Sequence, residues 1–116
     1  MNMEEEVKKA SKTRTMWRRK LDPTKIDEYI HRHNTIWPEL LDFMKEQGVT
    51  NYSIFLSDNE VFGYFEHDDI PALMNPKNLP TQLQIDWEES MRPLAADKIS
   101  DDLGTKRNLQ LVFYVK

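Results

Sequence analysis

The spacing of apolar residues changes several times along the chain. Residues 1–12, with the acidic run Glu4-Glu5-Glu6, show no apolar period and read as a frayed or disordered tail. Over residues 13–21, Thr, Met, Trp and Leu alternate imperfectly with basic residues, which predicts a first strand. Asp22-Pro23 then opens a helix, with Asp as N-cap and Pro at the first helical position. Ile26, Tyr29, Ile30, His33, Ile36, Trp37, Leu40, Leu41 and Met44 recur at three- and four-residue steps, the stripe of an amphipathic helix. Pro38 falls inside that stripe and predicts a kink or break near Asn34. Gly48 is placed to end the segment in the left-handed conformation of a helix terminus.

Further on, residues 51–56 read as a second strand and residues 61–65 as a third. Ser57-Asp58-Asn59 supplies the turn chemistry of a hairpin between them. Residues 70–74 suit a short helical turn, and residues 75–80, with two prolines, a loop. Leu83, Trp87 and Met91 fall four residues apart, so residues 81–91 predict a second helix with Thr81 as N-cap. Residues 97–108 are charged and irregular, a loop, and residues 109–115 (Leu-Gln-Leu-Val-Phe-Tyr-Val) a last strand. The order strand, helix, strand, strand, helix, strand is the split βαβ or ferredoxin-like pattern of an α+β domain over residues 13–116. Helices cover one face of such a sheet. The other face, if apolar, calls for a partner, and a homodimer packing face to face would supply it.

A length of 116 residues suits a single core, and no apolar run approaches the roughly 20 residues that span a bilayer. No secretory leader is legible at the N-terminus, so a cytoplasmic protein without membrane contact is the expectation. The chain has no cysteine, which removes disulfides, thiolate metal ligands and a thiol nucleophile. A formal net charge of −4 disfavours a nucleic-acid partner. The local basic cluster Arg18-Arg19-Lys20 reads as the solvated side of an edge strand.

Tyr29 and His33, four residues apart, share a helix face, and Trp37 continues it if the helix persists. A phenol and an imidazole beside an indole suit a sugar: the ring face stacks on C–H groups and the polar groups fix hydroxyls. The plainer reading of the same stripe is core packing. His31 and His33 point to different helix faces and make a poor metal pair, and His67 reads as a solvated turn residue. With three glycines in all, the chain has no phosphate-binding loop, so no nucleotide cofactor and no metal is expected. Glu88 and Glu89 diverge on a helix and do not form a glycosidase pair.

The string Tyr29-x-x-x-His33-Asn34-x-Ile36-Trp37-Pro38-Glu39-Leu40, followed by Gly48-x-x-Asn51-Tyr52-Ser53-Ile54-Phe55-Leu56, resembles the L-rhamnose mutarotase family. Leu109-Gln110-x-Val112-Phe113-Tyr114 is similar to that family's last strand, and the resemblance runs over residues 14–115. It implies a dimeric α+β barrel of two ferredoxin-like subunits, with His33 as general acid and Tyr29 and Tyr52 on the sugar. It also implies a Trp-Trp pair on the second helix. Here Trp87 is followed by Glu88, and Asn75-Pro76-Lys77-Asn78-Leu79-Pro80 departs from the usual helical approach. Trp87 is then expected to stack on the sugar or its methyl group and Glu88 to meet a hydroxyl or water. The sugar that the resemblance implies is L-rhamnose, with L-fucose or another 6-deoxyhexose as alternatives. The expected reaction is ring opening and reclosure by acid–base transfer, needing no cofactor. Two other readings share the fold: a small dimeric monooxygenase, and a sugar-binding dimer without catalysis.

Overall fold

The computed structural model describes residues 2–96 and 106–116. Four antiparallel strands form one sheet: β1 (Arg14–Lys20), β2 (Thr50–Ser57), β3 (Glu60–Glu66) and β4 (Arg107–Leu109). Their spatial order is β2-β3-β1-β4. The helices are α1 (Met3–Ala10), α2 (Ile26–Asn34), α3 (Pro38–Glu46), the single turn α4 (Ile70–Leu73) and α5 (Gln82–Met91). Two long connections, one carrying α2 and α3 and the other α5, join strands that are not consecutive in space. That is the ferredoxin-like α+β arrangement.

Several local signals act as their chemistry requires. Pro38 has no N–H to give an ongoing helix, so α2 ends at Asn34 and Pro38 opens α3. Gly48 sits at φ 81°, while its N–H and that of Val49 bond back to the carbonyls of Lys45 and Met44. Asp58, at φ 53°, turns the β2–β3 hairpin. Thr81 and Gln84 cap the start of α5 reciprocally: the Thr81 N–H donates to Gln84 Oε1 at 2.9 Å, and the Gln84 N–H donates to Thr81 Oγ1 at 3.5 Å.

Four expectations are corrected. Residues within the supposed disordered tail form α1, capped by Asn2, whose side chain accepts from the Glu4 N–H at 3.0 Å. Three glutamates in the first turn and two lysines in the last suit the helix dipole, and that charge order offsets the missing apolar period. Asp22 does not cap α2. Its carboxylate takes the Thr24 N–H and hydroxyl at 2.9 and 2.7 Å, closing a separate turn, and α2 starts at Ile26. The last strand is not residues 109–115 but Arg107–Leu109. It pairs Leu109 with Met16, so continuing that register sets Leu111 opposite Arg14, where β1 begins, and residues 112–115 have no strand residue to face. Most of the predicted loop, residues 97–105, lies outside the described residues.

The fourth correction concerns the basic cluster. β1 lies between β3 and β4 and is an interior strand. Arg18 and Arg19 point to opposite faces, and the Arg19 side chain is only 12% exposed. Trp17, Leu21, Val61 and Phe65 lie on the helical face and pack with Tyr29, Ile70, Met91 and Leu94. Gly63, opposite Trp17 in the register, admits the indole: a Cβ there would lie 2.0 Å from the ring. Among the described residues, no helix is long and apolar enough to cross a membrane.

Candidate active site

β1 brings Trp17 and Arg19 to the helical face, and β2 brings Tyr52 beside them. The Trp17 indole N–H donates to the Tyr52 hydroxyl at 2.9 Å, and the Tyr52 ring stacks on Phe65 with centroids 5.2 Å apart. With its oxygen already accepting from the indole, the Tyr52 hydroxyl keeps its own proton to offer. Burial pushes that phenol up to about 12, so it stays protonated at neutral pH. Tyr29, on α2, is buried and its phenol is also raised.

His33 lies one turn beyond Tyr29, with ring centroids 4.3 Å apart. Its Nδ1 is 2.9 Å from the Tyr29 carbonyl oxygen. A carbonyl only accepts, so Nδ1 carries a proton and the neutral ring presents a lone pair at Nε2. Burial is the main cause that lowers the His33 pKa. The Lys106 and Arg19 charges act the same way, against the Tyr29 carbonyl and Glu88. The neutral imidazole is therefore the resting form at pH 7.

From the opposite side, α5 supplies Trp87 and Glu88. Trp87 stands edge-on to His33 at 5.4 Å and to Trp37 at 5.1 Å. Glu88 meets two cations: Arg19 Nη2 at 2.6 Å from Oε2 and Lys106 Nζ at 3.0 Å from Oε1. Burial works to raise the Glu88 carboxyl, but Lys106 and Arg19 outweigh it and the net displacement is down, so Glu88 is ionised. A cavity of about 200 Å³ opens beside Tyr29 and His33, walled by Ile26, Ile54 and Val61. Among the described residues, no group of three or more His, Asp or Glu side chains is placed to hold a metal ion.

The five side chains singled out in the sequence thus come from three elements. His33, Tyr29 and Trp87 are in ring contact, Tyr52 is tied to Trp17, and Glu88 closes the charged side. Trp17, Arg19 and Lys106 were missed. Arg19 was legible in part, since it stands two residues from Trp17 on a strand and so shares its face. Lys106 follows an irregular stretch with no period to place it.

A family profile described as L-rhamnose mutarotase matches residues 14–115, all of the chain that builds this site. The chain belongs to the L-rhamnose mutarotase family. A relative from Oceanobacillus iheyensis named L-rhamnose mutarotase is 39% identical over 95 residues, covering 80% of this chain and 88% of its own. One from Bacillus subtilis with the same name is 36% identical, over 78% and 86% of the two chains. The crystal structure of an L-rhamnose mutarotase from Formosa agariphila superposes with a TM-score of 0.69 at 26% identity, over 89% of this chain and 98% of that one. Family membership sets the monooxygenase reading aside. The second indole that the mutarotase resemblance leads one to expect after Trp87 is the carboxylate of Glu88 here.

Proposed function

We propose that this protein interconverts the α and β anomers of L-rhamnose, or of a closely related 6-deoxyhexose, and that His33 moves the proton. The observation that carries the reading is the setting of His33: a ring tethered through Nδ1 to the Tyr29 carbonyl, with its face against Tyr29 and Trp87 edge-on to it. Nε2 takes the proton of the anomeric hydroxyl. C1–O1 becomes a carbonyl as the C1–O5 bond breaks, and the imidazolium gives its proton to the ring oxygen. O1 and O5 are bonded to the same carbon, so one nitrogen reaches both. The free aldehyde rotates, and the reverse sequence closes the ring on its other face. His33 is thus the general acid toward the ring oxygen, after serving as base toward the anomeric hydroxyl. Tyr29 orients the sugar and His33, Tyr52 donates its hydroxyl proton to a sugar oxygen, Trp87 stacks on the apolar side of the ring, and Glu88 lies at the sugar's polar side. No step draws on a cofactor.

A homodimer belongs to the same proposal. On the sheet face away from the helices Phe55 is 63% exposed, and past β4 Val112 and Phe113 are 77% and 68% exposed. A groove of about 1020 Å³ between α1, Tyr64 and residues 109–113 lies away from His33, on ground where a second copy would add strands.

Saturation-transfer proton NMR on the anomeric signals of L-rhamnose and L-fucose tests the reaction. Saturating one anomer is expected to bleach the other only with wild-type protein. His33→Gln is expected to lose roughly 10²- to 10⁴-fold in exchange rate, the range of one acid–base group. Sugar binding without added exchange in the wild type would leave the non-catalytic binding reading in its place.

A further inference from the structure

The Arg19–Glu88–Lys106 cluster is not an arrangement that stability explains. Among the described residues, Arg19 Nε is buried and has no hydrogen-bond partner. A buried donor without an acceptor costs free energy, and ion pairs to a carboxylate this exposed return little stability. The cluster's geometry holds the carboxylate from two sides, with Arg19 Nη2 on Oε2 and Lys106 Nζ on Oε1. Lys106 is in turn seated over the Trp17 ring at 4.7 Å, the same indole that orients Tyr52. Glu88 is nevertheless 38% exposed and Lys106 35%.

An ionised carboxylate has about four lone-pair sites and an ammonium three donors. The two ion pairs use one site on each oxygen and one donor of Lys106. Among the described residues, what is left open is an anchored acceptor, Glu88, next in sequence to Trp87, beside an anchored donor, Lys106. Two neighbouring sugar hydroxyls fit that pair, one donating to Glu88 and the other accepting from Lys106. An indole in place of Glu88 would offer a stacking face and a single N–H.

We infer that Glu88, held by Arg19 and Lys106, is the specificity-determining residue of the proposed sugar site, and that it selects a sugar by a hydroxyl pair rather than by its apolar face. This rests on the sugar-site reading above and adds a requirement to it: a 6-deoxyhexose with two adjacent hydroxyls intact at Glu88 and Lys106. Discrimination by a hydrogen-bonding site is steep, because a sugar lacking the hydroxyl leaves the site's polar groups unpaired, whereas an apolar wall separates such analogues weakly.

The test uses the full chain with methyl glycosides of L-rhamnose and of its 2-, 3- and 4-deoxy analogues, which bind but cannot open, and separately the exchange of the free sugars. Wild type is expected to bind at least one deoxy glycoside roughly 10- to 100-fold more weakly than the parent, the range for a hydrogen bond to a charged group. Glu88→Trp is expected to shrink that penalty to within about threefold. Glu88→Gln, close in shape, is expected to fall between, and Arg19→Gln to weaken the penalty by loosening the carboxylate. Equal deoxy penalties in wild type and Glu88→Gln overturn the inference. A wild type that binds the glycosides but exchanges nothing defeats the mutarotase reading and leaves the Glu88 comparison standing. A wild type that binds none of them overturns both.

Discussion

His33 sits in the last turn of α2, and its ring turns back to the Tyr29 carbonyl one turn earlier. That tether and the surrounding aromatic wall determine the pH behaviour. Burial holds the folded pKa below the usual value of about 6.5, so the neutral, proton-accepting ring is the form present at pH 7. The exchange rate is expected to be level above pH 6.5 and to fall as pH drops through the lowered value, because protonation removes the Nε2 lone pair. Stability runs in the same direction. The unfolded chain binds this proton more readily, so the stability tied to His33 is fully present above pH 6.5 and is lost as pH falls through the folded pKa. Exchange rates measured from pH 4.5 to 8 check the first point. A midpoint above 6.5 would contradict the buried, neutral imidazole. At this scale the Tyr29–His33 pair was legible from a four-residue spacing, and Arg19 only in part: its step from Trp17 gives the strand face, but strand position and neighbours decide whether an arginine is solvated or enclosed.

At the scale of elements, α5 carries Trp87 and Glu88 on a helix of 10 residues that begins just after the Asn75–Pro80 loop. A helix this short needs its ends satisfied, and the Thr81–Gln84 capping box does so at the N-terminus. Thr81→Ala is expected to cost about 1 kcal/mol in urea unfolding. The sugar exchange of the folded variant should retain the wild-type pH profile, since the hydrogen bonds of the Thr81 side chain run to Gln84 and not to His33. A change in that profile would mean that the start of α5 positions the site directly. The break at Pro38 and the terminus at Gly48 could be read from sequence because each rests on the covalent geometry of one residue. The start of α2 could not, since Asp22 had two local uses and the turn with Thr24 won.

For the whole molecule, the sheet order places β1 in the interior and ends β4 at Leu109, where its partner strand is running out. The residues beyond keep an apolar composition, with Val112, Phe113 and Val115 all at least 68% exposed. Arg14 lies over the Tyr114 ring at 4.4 Å and holds the segment near the β1 start. Sedimentation is expected to give a dimer for wild type and to shift toward monomer for Phe113→Asp, which sets a charge in the proposed contact. A wild type that sediments as a monomer at high concentration would remove the dimer.

The sequence by itself determined the periods of its helices and strands, and with them the ferredoxin-like order and the family, because these depend on local spacing and on a specific string around His33. It also set Tyr29 and His33 on one face. Only the tertiary structure decided that Arg19 is enclosed and paired with Glu88, that Tyr52 is oriented by Trp17, and that residues 112–115 lie past the end of their partner strand. Those outcomes depend on strand order, register and the approach of α5, which join residues far apart in the chain and leave no mark in local spacing.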